Sequence, residues 1–386
     1  MNANRHKLIR ITTVPLSLDK LLDGQLRFMN DFYEVTAISS EKEYLEKVGQ
    51  KEGVAVFHLE MSRKITPFRD LSAVLKLYRF LKKNKPFIVH THTPKAGIVG
   101  MLAAKLAGVP HRLHTVAGLP LLEATGAKRK MLDVVEKMTY ACATKVYPNS
   151  YGLMDIISKN KYCAPAKLKV LANGSSNGID TEHFSPEHFS SGQKAALRTM
   201  LGIDEKDFVF IFVGRIVGDK GINELAAAFD KLCLEKSNVK LLLVGPLESH
   251  LDPLEPATLQ IMRDNQNIIQ TGYQSDVRLN FAISDVLAFP SYREGFPNVV
   301  MQAGAMGLPS IVTDINGCNE IISDGENGLI IPVKNTSAIH DAMLQFTDNQ
   351  SLFEAMRGKA RKRIVNLYEQ KTVWEAILNE YRTFGS

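Results

Sequence analysis

A carboxylate in the second half of the chain, Glu294, lies between a segment that predicts a buried strand and one that predicts a helix. The strand candidate is Val286–Phe289, closed by Pro290, and the helix candidate begins at Asn298. Open α/β sheets bind ligands outside the carboxyl ends of their parallel strands. The free N–H groups of a helix start suit phosphate, and a carboxylate accepts hydrogen bonds from sugar hydroxyls. This segment therefore carries groups for a sugar and for a phosphate.

Two cations, Arg215 and Lys220, follow another strand candidate, Phe208–Val213, and a glycine turn at Gly214. A helix candidate begins directly after them, at Gly221. A departing nucleotide diphosphate gains negative charge in the transition state, and fixed cations near a helix N-terminus stabilise that charge without a metal. A solvated loop is the alternative interpretation, because exposed Arg and Lys residues are common.

The first half has its own polar segment, Val89–Gly97, which follows a strand candidate and opens a helix candidate. Lys95, at the helix start, suits a phosphate. We expect His90 and His92 to point to opposite faces of the strand, which argues against a paired metal site. For either histidine, a core or capping role is an equally good interpretation.

The three polar segments described above each follow a predicted strand. Along the chain, the predicted strands alternate with predicted helices. This alternation predicts βαβ units, parallel sheets and right-handed crossovers. A turn-rich break at residues 173–180 and the length of 386 residues predict two doubly wound domains. A two-domain dehydrogenase or a periplasmic binding protein fits the same alternation, although no G-x-G-x-x-G follows a strand. The strand candidates of the first half are Leu8–Thr13, Val35–Ile38, Val54–Phe57, Phe87–His90, Arg112–Val116, Lys145–Tyr147 and Leu168–Leu171.

The net charge of +6 conceals an asymmetry between the halves. Residues 1–180 contain 28 Lys and Arg against 15 Asp and Glu, whereas the remainder contains 19 against 26. We expect the basic half to face an anionic partner such as a membrane surface, a lipid diphosphate or nucleic acid, with ordinary solvated charge as the alternative. No basic run is interleaved with aromatic residues, which disfavours single-stranded nucleic acid.

One basic segment of the first half, from Arg69 to Lys85, has an amphipathic pattern. A helix of this kind can dock on anionic lipid, or it can be a crossover helix whose stripe packs on the sheet. The apolar stripe is expected to consist of Leu71, Val74, Leu75, Tyr78 and Leu81.

The cysteines and the N-terminus indicate the compartment. The four cysteines are far apart and form no C-x-x-C, which predicts reduced thiols rather than a metal site or disulfides. The segment from Met1 to Ile11 is too short and polar for a signal peptide, and no apolar run is long enough to span a bilayer. We therefore expect a cytoplasmic protein. The excess of Lys and Arg in the first half, for which a membrane surface is one candidate partner, suggests a peripheral position on the inner face of the plasma membrane.

Taken together, the motifs resemble those of the retaining glycosyltransferases of family 4, most specifically between about residues 208 and 332. The matching segments are E-G-F-P-N-V from Glu294, G-R-x4-K-G from Gly214 and T-G-Y-Q from Thr271. The resemblance implies that Arg215 and Lys220 stabilise the leaving diphosphate and that Glu294 orients the donor sugar. It also implies donor contacts at Gly214, Gly272, Tyr273, Phe296, Pro297, Asn298, Val299, Gln302 and Asn316.

Two positions depart from the family pattern. The second glutamate of the donor loop is Gln302 here, which keeps an acceptor for a ribose hydroxyl but makes a hydrogen bond about half as strong. The histidine that many members have before the glycine at position 118 is Ala117 here, so its role is absent or is supplied by His114 or His92. The resemblance implies an acceptor side at His92, Lys95, His114, Ala117 and Gly118.

The resemblance implies a GT-B fold, with two Rossmann-like domains facing a cleft. Residues 1–180 would bind the acceptor, residues 181–365 the nucleotide-sugar, and a C-terminal helix in residues 366–386 would pack on the first domain. It implies a retaining, metal-independent transferase without a cofactor. The expected donor is a UDP-sugar and the expected acceptor a polyprenyl-diphosphate-linked sugar or a polysaccharide, in the synthesis of capsule or O-antigen. A UDP-sugar 2-epimerase and a GT-B protein that binds a nucleotide-sugar without turnover are the alternatives.

Overall fold

Parallel strands are connected through helices in both halves of the chain, as the alternation predicts. The computed structural model describes residues 5–62 and 66–385. Contacts divide the chain into two units, the first with residues 1–177 and 371–386 and the second with residues 178–370. The sequence had placed these boundaries at residues 180 and 366. Met1–Asn4, which entered the signal-peptide prediction, lie outside the described residues.

The first unit is built on a parallel six-stranded sheet. Its central strands are continuous runs of buried residues because helices cover both faces. On one face, residues such as Ile9 and Val89 pack against helices, and on the other face Leu8 and Ile88 do so. The elements are β1 Lys7–Ile11, α1 Pro15–Leu21, α2 Gln25–Asn30, β2 Glu34–Ser39, α3 Lys42–Glu52, β3 Ala55–His58, α4 Pro67–Asn84, β4 Ile88–His92, α5 Pro94–Ala107, β5 His111–Val116, α6 Gly126–Cys142, β6 Lys145–Pro148 and α7 Tyr151–Lys159.

The predicted strand Leu168–Leu171 is wrong. Only one bridge forms there, between Leu168 and Val146 of β6. The chain then turns through the left-handed backbone of Ala172, with φ +49°, so that no ladder of hydrogen bonds can continue. β6 is therefore the edge strand of the sheet.

The second unit repeats the architecture with a second parallel sheet of six strands. Two of its strands, Phe208–Val213 and Val239–Val244, consist almost entirely of Val, Ile, Leu and Phe, the composition of strands buried on both faces. The elements are α8 Ser191–Met200, β7 Phe208–Val213, α9 Ile222–Glu235, β8 Val239–Val244, α10 Pro256–Asp264, β9 Ile268–Gly272, α11 Arg278–Ala282, β10 Val286–Phe289, α12 Asn298–Ala305, β11 Ser310–Thr313, α13 Cys318–Ile321, β12 Gly328–Ile331, α14 Thr336–Asp348 and α15 Gln350–Tyr368.

Both sheets have the same strand order. The first reads β3-β2-β1-β4-β5-β6 and the second β12-β11-β10-β7-β8-β9. In such sheets the direction of winding reverses between the first and fourth strands, and ligands bind at that point. The loops at the reversal follow β1 and β4 in the first unit, and β7 and β10 in the second. The segments that carry Arg215, Lys220 and Glu294 are the two loops of the second unit.

The last helix, α16 (Gln370–Arg382), packs within the first unit. Val373, Ile377 and Tyr381 form its buried face. Trp374 donates a hydrogen bond from Nε1 to Oδ1 of Asn177 over 2.6 Å. A Cβ on Gly24 would lie 2.7 Å from the tryptophan ring, so only glycine leaves room for it.

A buried cation, Arg10, depends on this helix. Its guanidinium donates to the hydroxyl of Tyr381 over 3.0 Å and to Oε1 of Gln25. The same Tyr381 hydroxyl is hydrogen-bonded to Nδ1 of His90 over 2.5 Å. Burial lowers the pKa of Arg10, because the charged form loses its water.

We expect Tyr381→Phe to lower the free energy of unfolding of the first unit by about 1–3 kcal/mol, because Arg10 and His90 both lose a buried partner. Urea unfolding followed by the fluorescence of Trp374, the one tryptophan of the chain and a residue of the same helix, measures this loss. The matched control is Tyr33→Phe, since that ring lies 5.9 Å from Tyr381 but its hydroxyl has no hydrogen bond among the described residues. Equal losses in the two variants would contradict the prediction.

Candidate functional site

The loops after β7 and β10 are in close backbone contact. Gly221, at the end of the first loop, has φ +73°, and a Cβ there would lie 2.2 Å from the carbonyl oxygen of Pro290. The N–H of Tyr292 donates to the carbonyl oxygen of Asp219 over 3.0 Å. The segments that carry Lys220 and Glu294, which are far apart in the sequence, therefore form one candidate site.

An ion pair between Lys220 and Glu294 lies at the centre of this site. Lys220 Nζ donates to Oε1 of Glu294, and both side chains are largely buried. Ser291 Oγ donates to the same carboxylate oxygen over 3.0 Å. The second oxygen of Glu294 has no hydrogen bond within the described residues and can accept one from a ligand hydroxyl. The pair thus holds a cation and a free acceptor side by side.

Arg215 is the second cation, and it is much more accessible, with a side chain that is 45% exposed. Its nearest acid is Glu248, and the pair is long, at 3.6 Å between Nη1 and Oε2. The preceding Gly214 lies against Gly245, where a Cβ would be 1.8 Å from the carbonyl oxygen of Gly214. Arg215 is therefore anchored by its backbone at the end of β7, and its guanidinium can reach an anion.

Asn316 contacts the main chain of the Glu294 loop. Its Nδ2 donates to the carbonyl oxygens of Glu294 over 2.5 Å and Gly295 over 3.2 Å. The next residue, Gly317, is so close to Gly295 that a Cβ would lie 2.6 Å from its carbonyl oxygen. Asn316 is thus placed to position the loop through its main chain, together with Ser291, which the sequence analysis did not single out. Ser291 could have been noticed as the polar residue that follows the strand and its proline.

Helix α12 begins directly after this loop. Pro297 precedes its first residue with extended backbone, and no side chain caps the helix. The N–H groups of Asn298 and Val299 are therefore available to an anion. Gln302 lies one turn beyond Asn298 on the same helix face. Its amide has no hydrogen bond in the described part of the chain.

The remaining donor candidates lie near the two loops or on the surface. Phe296 is half-buried, with its ring 5.5 Å from that of Tyr368. Gly272 ends β9 with φ +66° and accepts a hydrogen bond from the N–H of Gly245 over 2.9 Å. Tyr273 follows it with 75% of its surface exposed. A flat exposed ring at the end of this edge strand is available for stacking.

The histidines of the first unit correct one prediction. The rings of His90 and His92 stack with centroids 4.4 Å apart, so they share a face of β4. The expectation of opposite faces was wrong, because side chains alternate along a strand and residues two apart point the same way. His90 is also hydrogen-bonded to Thr115 Oγ1 over 2.8 Å.

His114 lies on the other face of the sheet. Its Nδ1 is hydrogen-bonded to Thr91 Oγ1 over 2.8 Å, and its ring packs beside Tyr140 of α6. A Cβ on Gly97 of α5 would lie 2.6 Å from this ring, so the helix is fitted against it. These contacts are those of a core histidine.

The other acceptor candidates occupy the loops after β4 and β5. Lys95 is largely buried and forms an ion pair of 2.5 Å with Asp70. Ala117 and Gly118 follow β5 and are half-buried. Thr93, between His92 and Lys95, has φ +76°, which is rare for a β-branched residue, and its hydroxyl is hydrogen-bonded to that of Thr13 over 2.7 Å. The loops after β1 and β4 are thereby joined, which sequence spacing does not reveal.

Burial keeps three histidines of the first unit uncharged. It lowers the pKa of His90 and His92 well below the usual range, with smaller contributions from nearby charged groups. It lowers the pKa of His114 to about 4, although the hydrogen bond with Thr91 acts in the opposite direction. At neutral pH these rings are hydrogen-bonding groups without charge.

Residues 5–62 and 66–385 contain no group of three or more His, Cys, Asp or Glu side chains arranged to hold a metal ion. In the same residues, no helix is both long and apolar enough to cross a membrane.

Two sheets of the dinucleotide-binding strand order, with cations and a carboxylate at the reversal point of the second, fit the two Rossmann-like domains of a GT-B glycosyltransferase. The chain belongs to the glycosyl transferases group 1 family, whose model matches residues 193–363, and a glycosyl transferase 4-like domain model matches residues 27–174. It is 33% identical to the capsular polysaccharide biosynthesis glycosyltransferase CapM of Staphylococcus aureus, over 98% of this chain and 97% of that protein. The predicted family and enzyme class are thus confirmed.

Other comparisons agree with this assignment. The chain is 31% identical to UDP-Gal:alpha-D-GlcNAc-diphosphoundecaprenol alpha-1,3-galactosyltransferase of Escherichia coli, over 94% of this chain and 93% of that one. Among solved structures, a glycosyltransferase of Rickettsia africae matches with a TM-score of 0.80 at 18% identity, covering 99% of both chains. HepE of Anabaena in complex with UDP matches with a TM-score of 0.82 at 16% identity, covering 98% of this chain and all (100%) of that one. The structural matches confirm the predicted fold class.

We expect the first unit to lose stability as the pH falls below 6.5, because its buried histidines take up protons in the unfolded chain before the folded one. For His114, with a pKa of about 4 when folded and 6.5 as a free side chain, the loss between pH 7 and pH 5 is about 2 kcal/mol. Urea unfolding followed by Trp374 fluorescence at both pH values measures it. His114→Gln should reduce the loss, whereas the control His58→Gln, on the edge strand β3, should not. A loss unchanged by His114→Gln would refute this assignment.

Proposed function

We propose that this glycosyltransferase moves a sugar from a UDP-sugar to a polyprenyl-diphosphate-linked sugar, with retention of configuration and without a metal ion. The observation that carries the proposal is the pairing of Lys220 with Glu294 beside the uncapped start of α12, at the reversal point of the second sheet. The Escherichia coli relative is named for a diphosphoundecaprenol-linked acceptor, as is an N-acetylgalactosaminyltransferase of Campylobacter jejuni that is 26% identical over 83% of both chains. These names support a role in capsule or other polysaccharide assembly.

On the donor side, each group has a distinct task. Lys220 and Arg215 stabilise the negative charge that the diphosphate gains as its bond to the sugar breaks. The N–H groups at the start of α12 bind the same diphosphate. Glu294 accepts a hydrogen bond from a sugar hydroxyl, and Lys220 keeps this carboxylate in place. Gln302, one turn into α12, binds a ribose hydroxyl through its amide.

The same arrangement supports metal independence, and the family pattern supports retention. Two cations and a helix N-terminus supply the positive charge that a metal would otherwise provide. The family pattern does not require a protein nucleophile, so the loss of the histidine at Ala117 leaves the central bond exchange possible. The acceptor hydroxyl attacks the sugar carbon, the bond to the diphosphate breaks, and the released diphosphate takes up the proton.

We expect UDP or a UDP-sugar to raise the melting temperature of the wild type in EDTA, and Lys220→Ala to abolish this shift, because the ligand binds only the folded state. The matched control is Lys236→Ala, which also removes a lysine from an ion pair, with Asp348, but directly after the C-terminal end of α9. In a transfer assay with an alkyl-diphosphate-linked N-acetylglucosamine, Arg215→Ala and Lys220→Ala should lower kcat by about 100- to 1,000-fold.

Each part of the proposal has its own contrary result. Loss of the shift and of turnover in EDTA would contradict metal independence. An inverted linkage in the product, determined by NMR, would contradict retention. A 2-epimerised UDP-sugar formed without acceptor would favour the epimerase, and no response to any nucleotide-sugar would overturn the donor assignment.

The outer surface of the helix layer α4–α6 supports a further part of the proposal, association with an anionic membrane surface. The predicted apolar stripe of α4 is only partly buried, since Leu71 and Leu75 are exposed together with Phe68, which is 91% exposed. Helix α6 also exposes apolar and basic residues. We name the exposed residues of α4 and α6 together the apolar–basic surface. Its apolar residues are Phe68, Leu71, Leu75, Met131, Val134 and Met138, and its exposed cations are Arg69, Lys76, Arg79, Lys82, Lys83, Lys128, Lys130 and Lys137.

The acids of these two helices do not offset the cations. Asp70 pairs with Lys95, Asp133 pairs with Arg129, and Glu136 is buried. The exposed charge of the surface is therefore positive. Apolar side chains among exposed cations bind the interface of an anionic bilayer through both burial and electrostatic attraction.

We expect the wild type to co-sediment with vesicles that contain about a third phosphatidylglycerol, and much less with pure phosphatidylcholine, because each cation near an anionic surface contributes about 1 kcal/mol. The double variant Arg79→Glu, Lys82→Glu and the double variant Phe68→Ser, Leu71→Ser should both reduce binding. Lys47→Glu on α3 and Leu234→Ser on α9, which are also exposed, are the matched controls. Equal binding to both vesicle types, or equal losses in the controls, would overturn this part of the proposal.

A further inference from the structure

Four buried side-chain polar atoms of the first unit have no hydrogen-bond partner among the described residues, and two of them, Nε2 of His92 and Oδ1 of Asn149, lie on residues that line one cavity. The two residues are only 4% and 6% exposed. A buried polar group without a partner costs about 1–3 kcal/mol, so such groups in native proteins are normally matched by water or a ligand. Both residues line the same small cavity, at the carboxyl ends of β4 and β6. This cavity has room for about one water-sized group.

Both side chains are held by their neighbours. The ring of His92 stacks on that of His90, which is fixed by Tyr381 and Thr115. The backbone of Asn149 donates to the carbonyl oxygen of Val116 over 3.0 Å and accepts from the N–H of Ser175 over 2.8 Å. Sites that bind small groups well are preorganised in this way.

The structure also separates the two histidines that could replace the one absent at Ala117. His114 uses its Nδ1 on Thr91 and is packed under α5, on the opposite face of the sheet. His92 lies at the very end of β4, and its Nε2 is free to bind. Of the two, only His92 has an unsatisfied atom that faces a cavity.

We propose that His92 and Asn149 bind one hydroxyl group of the acceptor sugar. This inference rests on the proposed function and adds a subsite to its acceptor side. A hydroxyl both donates and accepts, so it can satisfy the carbonyl of Asn149 and the ring nitrogen of His92 together. A phosphate oxygen only accepts and would face the Asn149 carbonyl without a proton between them. The cavity admits one such group and not a whole sugar ring.

The test measures KM for an alkyl-diphosphate-linked N-acetylglucosamine and for its monodeoxy analogues. The variants are Asn149→Leu, which keeps the size, and His92→Phe, which keeps the stacked ring. We expect each variant to raise the acceptor KM about tenfold while the KM of the UDP-sugar stays unchanged, since one hydrogen bond of about 1.4 kcal/mol corresponds to that factor. For one deoxy analogue, the KM with the wild type should be raised by the same factor. With the variants, removal of that hydroxyl should cause no further increase in KM.

Two controls separate this role from a purely structural one. Tyr140→Phe, a fully buried residue of α6 near the opposite face, should leave the acceptor KM unchanged. In protein with 15N-labelled histidine, the acceptor should shift the Nε2 resonance of His92, and the discriminating deoxy analogue should not. This measurement also decides the matter if a variant does not fold.

The outcomes are distinct from failure of the proposed function. No product from the wild type with any donor counts against the function itself. Product formation with an unchanged acceptor KM in both variants overturns the subsite. The subsite is also overturned if the deoxy analogues change the KM of the wild type and of the variants by the same factors, because the cavity then holds only water.

Discussion

The proposed donor site depends on a backbone contact that only glycine permits. Gly221, with φ +73°, lies against Pro290, and a Cβ would be 2.2 Å from the proline carbonyl oxygen. Because the loops after β7 and β10 meet there, Lys220 is brought to Glu294 by packing of the main chain. Both side chains of this pair are largely buried, and the cost of removing two charges from water offsets much of their mutual attraction, so the pair by itself does not shape the loops. The Lys220–Glu294 pair is thus a consequence of the fold.

The first unit uses a buried hydrogen-bond network for the same purpose. Arg10 is fully buried and is bound by neutral groups, Tyr381 and Gln25, rather than by a carboxylate. Loss of water makes this costly, and burial also raises the pKa of Tyr381 to about 12, so its hydroxyl stays protonated. The hydroxyl can then accept from Arg10 and donate to His90, on which His92 stacks. The last helix of the chain thereby orients a residue at the end of β4.

The sequence predicts the second unit better than the first, for a physical reason. Arg215, Lys220 and Glu294 follow strands directly, so strand order alone brings their loops together. The ion pair between Lys220 and Glu294 requires that two glycine-containing loops approach closely, and residue spacing does not reveal this approach. The failures in the first unit have local causes: His90 and His92 share a face because residues two apart on a strand point the same way, and Leu168–Leu171 is not a strand because Ala172 turns the chain. The proposed role of Asn149 could not be predicted from the sequence around it, because the cavity that it lines lies where three strands end.

The charge asymmetry of the halves has different consequences for the two anionic substrates that we propose. Residues 1–180 have 28 cationic against 15 acidic side chains, and their exposed cations on α4 and α6 can attract a lipid surface over a Debye length of about 8 Å. The remainder is acidic, with 19 against 26, so its overall field repels a nucleotide diphosphate. Binding there must come from short-range groups, namely Lys220, Arg215 and the start of α12. Because partly buried groups are screened less than exposed ones, the donor side is the less salt-sensitive of the two.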